Sequence, residues 1–353
     1  MEHVYVADED RLYSFAPSSV VTLDEPRPRP QHTLCTGQTR VRVVEGEPIF
    51  YAGIAITNLC NLTCKHCPVS VTTTGAQRRE WDPDHFDRMI SDLVSRGLTR
   101  VSITGGEPFL HQDIESLFDV LAAHGIESKI NTNGLLADPD VVARLVSRGL
   151  IEIDVSINDP QDDTDSYQRA EDYAAARIQA VEGLVERLGS SITVTASSVL
   201  TRRLLGRLEA TEDRLATAGV GRWRLREMLP NLDREPDDSL VPSLSQAREA
   251  LTRFARLPRK LLVYGYLIDA VRGTPAGRRC RNLEKNYAYV SYDGQCWWMA
   301  GLAGAPLGDL AADGAQRLSE RLRAYRDAME PPARCVTCPA RFICSESPHL
   351  IAS

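Results

Sequence analysis

At 353 residues, with 43% hydrophobic and 25% charged side chains, the chain has length for one large domain and one or two small ones. Its net charge of −7 speaks against a nucleic-acid partner, which wants a basic stripe, and no apolar run approaches the ~20 residues of a membrane span. The opening MEHVYVADED lacks the basic and apolar stretches of a signal peptide, so a cytoplasmic protein is expected, whose nine cysteines read as metal ligands or free thiols.

In chain order, HVYVADEDRLYSF suggests a small hairpin, PRPRP an extended stretch, and Cys35 a structural residue. Residues 1–49 are therefore expected as a short N-terminal β extension. Strand-like and helix-like runs then alternate. The strands are 53–57, 100–104, 128–133, 151–157, 192–200 and 222–228; the helices are 84–96, 112–124, 138–147, 174–188 and 205–218. Asp82 and Asp138 are N-cap candidates with Pro83 and Pro139 at the first helical position. Six such units predict an α/β fold, an open partial (β/α)6 barrel over 50–230, with chemistry at the carboxyl ends of the strands. The Pro-, Asp- and Ser-rich stretch 230–246 opens a linker and helix over 231–274, with a helix at 245–257 and a strand or second helix at 260–270. Residues 275–353 read as a small cysteine-rich domain, starting with two β-type runs joined by Asp293-Gly294, a hairpin signal.

Two motifs carry chemistry. Cys60, Cys64 and Cys67 lie in NLCNLTCKHCP, spaced CxxxCxxC. Three thiols on one loop hold a cubane iron–sulfur cluster with one iron left open to a small molecule. The same spacing also suits zinc with a remote fourth ligand such as Cys35 or His66. The second motif, VSITGGEPFL, ends a strand on Gly105, Gly106, Glu107 and Pro108. Paired glycines there let a ligand approach the backbone, and Glu107 offers an acceptor to an ammonium group. Asn131 and Asn133, in KINTNG, either line the same mouth or form an ordinary Asn-Gly turn.

Together CxxxCxxC and GGEP resemble the radical S-adenosylmethionine (radical SAM) superfamily. The resemblance implies that Cys60, Cys64 and Cys67 ligate a 4Fe-4S cluster whose open iron chelates S-adenosylmethionine. It implies that His66 lies by the adenine, that Gly105, Gly106 and Glu107 bind the methionine amine, and that Ser156 touches the ribose or carboxylate. Arg169 is its candidate for the downstream basic residue. The implied reaction is reductive cleavage of the cofactor to a 5′-deoxyadenosyl radical, which abstracts hydrogen from the substrate, with electrons from a donor such as flavodoxin or ferredoxin. Residues 1–49 look too short for the winged-helix leader-binding module of some peptide-modifying relatives.

Cys335, Cys338 and Cys344, spaced CxxCxxxxxC, suit a zinc knuckle. Behind a radical SAM core they resemble the SPASM and twitch extensions, which hold auxiliary clusters. Pro348 and Met299 stand where the full SPASM pattern has cysteines, so one auxiliary cluster is expected, on Cys280, Cys335, Cys338 and Cys344. Cys296 is then the spare thiol: a hydrogen donor to the substrate, an exchanged ligand, or a packed side chain. Trp297 and Trp298 either stack on substrate or close the small domain, packing being favoured. The family resemblance points first to a maturase that crosslinks, oxidises or epimerises a ribosomally made peptide, and second to an aminocyclitol or sugar dehydrogenase or epimerase of antibiotic biosynthesis. The acidic loop 158–172 suits a cationic substrate or is simply solvated. A zinc-binding, non-catalytic module is the reading from another class.

Overall fold

The computed structural model describes residues 2–6, 11–16, 19–23, 40–44, 48–64, 66–67, 71–73, 75–158, 170–226, 240–264, 268, 287–297 and 306–328. Near the N-terminus, β1 (Glu2–Val6), β2 (Arg11–Ala16), β3 (Ser19–Leu23) and β4 (Arg40–Val44) form one sheet in the order β3-β2-β1-β4. The expected hairpin is the antiparallel β1–β2 pair, and β4 extends it in parallel.

Alternation then builds the main sheet. Strands β5 (Tyr51–Thr57), β6 (Arg100–Gly105), β7 (Glu127–Thr132), β8 (Leu150–Ser156), β9 (Thr193–Val199) and β10 (Arg222–Arg226) pair in parallel in chain order. Helices α1 (Pro83–Ser95), α2 (Ile114–Ala123), α3 (Pro139–Val146) and α4 (Ala170–Leu188) fill the first four crossovers. The two N-caps form as expected: Asp82 accepts from His85 N–H, and Asp138 accepts from Asp140 and Val141 N–H. A short helix, α5 (Arg202–Leu205), precedes the one expected at 205–218, which is α6 (Leu208–Thr217). Thr201 caps the first of these by accepting from Leu204 N–H.

The sheet continues past the six expected strands at both edges. After α7 (Leu244–Arg256), opened by a Ser243/Gln246 capping box, β11 (Leu262–Tyr264) pairs with β10. At the other edge β12 (Tyr287–Val290) pairs in parallel with β5. It is followed by β13 (Gln295–Trp297), β14 (Gly308–Asp309) and the helix α8 (Leu310–Ala328). The Asp293-Gly294 hairpin, expected in the small C-terminal unit, is thus hydrogen-bonded into the barrel sheet. Its ends, β11 and β14, are not paired to each other, so the barrel is open.

Register divides the sheet into two unlike faces. Ile54, Ile103, Ile130, Ile153 and Val194 lie side by side across five strands, all buried, on the face that the helices cover with Phe86, Ile90, Leu117, Phe118, Leu145 and Ile178. Burying each such side chain contributes roughly 1.5–3 kcal/mol. The alternate residues form the inner face: Ser102 beside Lys129 beside Glu152, and Asn131 beside Asp154 beside Thr195. Parallel strands are usually apolar on both faces; here the inner one is polar and charged.

Candidate active site

The carboxyl ends of β5 and β6 meet at the two motifs. From Thr57 the chain turns through Asn58, whose side chain accepts from Arg79 N–H at 2.8 Å and donates to Gln77 O at 2.9 Å. Cys60 N–H donates to Thr72 O, and Thr72 N–H to Asn58 O, both at 2.9 Å. The returning segment thereby clamps the root of the cysteine loop. Cys67 N–H closes a turn on Cys64 O at 3.3 Å, and Leu62 N–H donates to Cys60 Sγ at 3.4 Å. All three cysteines are half-buried. Burial, helped by the nearby charges of Glu107 and Cys67, pushes the Cys60 thiol up to about 11.

The glycines of GGEP let the chain approach itself. A Cβ on Gly105 would lie 2.4 Å from Thr57 O, and one on Gly106 would lie 2.1 Å from Leu59 O. Two hydrogen bonds of 2.8 Å, Gly106 N–H to Thr57 O and Glu107 N–H to Leu59 O, dock the turn on the residue before Cys60. Glu107 is fully buried: Oε1 accepts from the Thr132 hydroxyl (2.7 Å) and Phe109 N–H (3.2 Å), and Oε2 from Asn133 N–H (2.8 Å). Burial raises its pKa, against these hydrogen bonds and the Arg177 charge. The carboxylate therefore joins the ends of β6 and β7 beneath the cysteine loop.

Other expected residues gather at the same rim. Asn133 Nδ2 donates to Asn61 Oδ1 at 2.7 Å, inside the cysteine loop. The Nε2 of His66 lies 3.0 Å from Asn158 Nδ2, which ties the loop to the chain just beyond β8. Ser156 ends β8, half-buried, beside Ser197 of β9. Asn131 sits lower, donating to Ser102 Oγ at 2.6 Å and Ile103 O at 3.2 Å. Arg169, Cys280, Cys335, Cys338, Cys344, Cys35 and Trp298 lie outside the described residues. Trp297 packs against Tyr289, with ring centres 6.4 Å apart.

Cys296 is not brought to this rim. It pairs in register with Val290, and Val290 with Ile54, so its thiol belongs to the helix-covered row of the sheet. It is buried in the apolar core, its Sγ donating to Gly294 O at 3.7 Å.

Arg177 of α4 was missed. Only 2% exposed, it lies close enough to Cys64, Glu107 and Cys60 to feel their charges, while burial disfavours its own. A signal existed: Ala174, Ile178, Val181 and Leu184 form the apolar stripe of α4, and Arg177 is a cation within it.

Among the described residues no three His, Cys, Asp or Glu side chains converge as a single metal ion requires. Three half-buried thiols on one clamped loop are the donor set that a cubane cluster with one open iron takes.

Residues 54–214 match the family model of the Radical SAM superfamily. Those residues are a radical SAM domain. Mycofactocin maturase MftC of Mycobacterium ulcerans is 29% identical over 178 residues, 48% of this chain and 46% of its own length. A probable GTP 3′,8-cyclase of Aeropyrum pernix is 29% identical over 248 residues, 64% of this chain and 68% of its own. The chain spans about half the length of the mycofactocin maturases it matches. Among solved structures, SuiB of Streptococcus suis bound to the precursor peptide SuiA superposes with a TM-score of 0.62 at 14% identity, covering 85% of this chain and 72% of that one. The structure of anSMEcpe with bound AdoMet gives 0.64 at 15% identity, covering 84% and 88%. At such identities the two likenesses establish the fold: a mixed α/β partial barrel around the radical SAM domain. None of its described helices is long and apolar enough to cross a membrane.

Proposed function

We propose that the chain is a radical SAM enzyme that modifies a ribosomally made peptide. The observation that carries the reading is the convergence of the cysteine loop, the GGEP turn and buried Arg177 at the carboxyl end of a parallel sheet, within the matched segment. Cys60, Cys64 and Cys67 are assigned to a 4Fe-4S cluster, leaving one iron for S-adenosylmethionine. Gly105–Glu107, Ser156, His66 and Asn133 would frame that cofactor, and Arg177, buried near Cys64, Glu107 and Cys60, would offer a cation to its carboxylate. When bound and reduced, this pair supplies a 5′-deoxyadenosyl radical that takes a hydrogen atom from the substrate. The chain's own residues hold the rim in shape: Glu107 locks β6 to β7, and the Asn58 clamp fixes the cysteine loop.

A peptide substrate is favoured because mycofactocin maturases are among the matched relatives, and SuiB, of like fold, was solved with its precursor peptide. Cys280, Cys335, Cys338 and Cys344 are assigned to one auxiliary cluster, and flavodoxin or ferredoxin to electron supply.

The test is anaerobic incubation with S-adenosylmethionine and dithionite, following 5′-deoxyadenosine. A precursor peptide encoded beside the gene is offered in one arm and an aminocyclitol panel in the other. The parent protein should contain about eight irons, four per cluster, and a mass change should appear in the peptide. Replacing Cys60, Cys64 and Cys67 together by alanine should abolish cofactor cleavage. Cleavage persisting at the parent rate would sink the mechanism, and stimulation by an aminocyclitol alone would replace the peptide reading.

A further inference from the structure

Five charged side chains meet on the inner face of the sheet. Asp154 of β8 is 1% exposed, and its Oδ2 accepts from Lys129 Nζ at 2.9 Å, Arg224 Nη1 at 2.8 Å and Arg226 Nη2 at 2.8 Å. Glu152 Oε1 accepts from Lys129 Nζ and Arg224 Nη2, both at 3.2 Å. Arg224 also donates to the Tyr264 phenol at 2.7 Å. Burial raises the pKa of Tyr264 and of nearby Tyr51, so both stay neutral. Burial lowers the pKa of Lys129, so Arg224 and Arg226 are the permanent cations of the group, and both bind the Asp154 carboxylate inside low-dielectric walls.

Arg226 is the member of this group nearest the mouth. Lys129 and Arg224 each bond both Asp154 and Glu152, and their side chains are 7% and 23% exposed. Arg226 is the last residue of β10, at the same end of the sheet as the cysteine loop, and its side chain is 41% exposed. A second Nη2 bond, to Asn131 Oδ1 at 3.3 Å, holds its guanidinium across the mouth.

Polar atoms around it are also left over. Arg226 Nε, Asp154 Oδ1 and the hydroxyls of Thr195 and Ser197 are buried without a hydrogen-bond partner. Thr195 and Ser197 belong to β9, the strand between those of Asp154 and Arg226. Buried polar atoms are rarely left so, and these four, on adjoining strands and closed to solvent, form a polar floor beside the exposed part of the Arg226 side chain.

We infer that Arg226 is a specificity-determining residue that binds a carboxylate of the substrate, such as an acidic side chain of a peptide. This rests on the radical SAM reading and adds the substrate's chemical class. The guanidinium donates to the carboxylate from the edge that Asp154 and Asn131 leave open. Asp154, anchored by Lys129 and Arg224, acts as a positioning residue for the guanidinium.

The probe is glutarate, with uncharged glutaramide as its control, titrated into the reconstituted full-length protein by NMR line broadening of the 13C-labelled compounds. Glutarate should bind saturably, and glutaramide at least tenfold more weakly. Arg226→Gln should weaken glutarate at least tenfold, and Arg226→Lys should recover part of it. Equal glutarate binding by parent and Arg226→Gln, or none by the parent, overturns the inference. So does an Arg226→Gln variant that loses S-adenosylmethionine binding by the same factor as glutarate, because Arg226 would then serve the cofactor. The titration needs no turnover. Unstimulated 5′-deoxyadenosine formation by the parent, read on the same sample, reports separately on the radical SAM reading.

Discussion

Replacing Gly106 by alanine separates two jobs that a glycine can do beside a cofactor. The new Cβ would lie 2.1 Å from Leu59 O, 2.6 Å from its carbonyl carbon and 3.0 Å from Asn58 C. Optimal non-bonded contacts lie near ~3.5–4.0 Å, so the two backbones must part by about 1 Å or more. They are joined by the hydrogen bonds from Gly106 N–H to Thr57 O and from Glu107 N–H to Leu59 O, both at 2.8 Å. Each contributes about 1 kcal/mol net, and overpacking strain adds about 1–3 kcal/mol. The expected loss is therefore about 3–5 kcal/mol, which for a domain of this size lowers the melting point by on the order of 10 °C. Cys60 follows Leu59 directly, so iron loading should fall as well. Urea unfolding of the metal-free protein and iron analysis after reconstitution read both effects. Suppose instead that metal-free Gly106→Ala stays within about 1 kcal/mol of the parent and loses only S-adenosylmethionine binding. The glycine would then serve ligand approach, and the backbone-docking argument would be refuted.

Burial alone would raise the pKa of Asp154, but Lys129, Arg224 and Arg226 overrule it and hold the carboxyl far below the usual range. A depressed folded pKa stabilises above the unfolded value of about 3.9 and is lost as pH falls below it. Urea unfolding from pH 7 downwards should therefore show the parent losing stability below about pH 4. Asp154→Asn should be weaker by about 3–5 kcal/mol at neutral pH and should lack that acid limb; an unchanged limb would assign it to other carboxylates. Arg177→Met should keep its iron yet bind S-adenosylmethionine at least about tenfold more weakly, the cost of one charge-assisted hydrogen bond. Equal binding by calorimetry would remove Arg177 from the cofactor site. Cys296→Ala should cost about 1–2 kcal/mol in unfolding experiments through a small core cavity and leave 5′-deoxyadenosine formation and substrate conversion intact. Lost conversion would put its thiol at the reacting carbon.

Local signals determined a good deal of this protein. The CxxxCxxC loop, the GGEP turn, the Asp-Pro caps of α1 and α3, and the strand–helix alternation are short-range patterns, each formed by residues close in sequence. They place the radical SAM motifs at strand ends without reference to the rest of the chain. What the tertiary structure decided is non-local. The sheet order brings β12 to β5 across more than two hundred residues, and strand register sends Cys296 to the helix side while Lys129, Asp154 and Arg226 turn inward. No pattern in VSYDGQCWWMA specifies which strand it will pair with, because backbone hydrogen bonds are alike along every edge and only packing chooses among them. Gly106 tells the same story at atomic scale: the sequence shows a residue without a side chain, and only the fold shows that Leu59 O occupies the space where one would be.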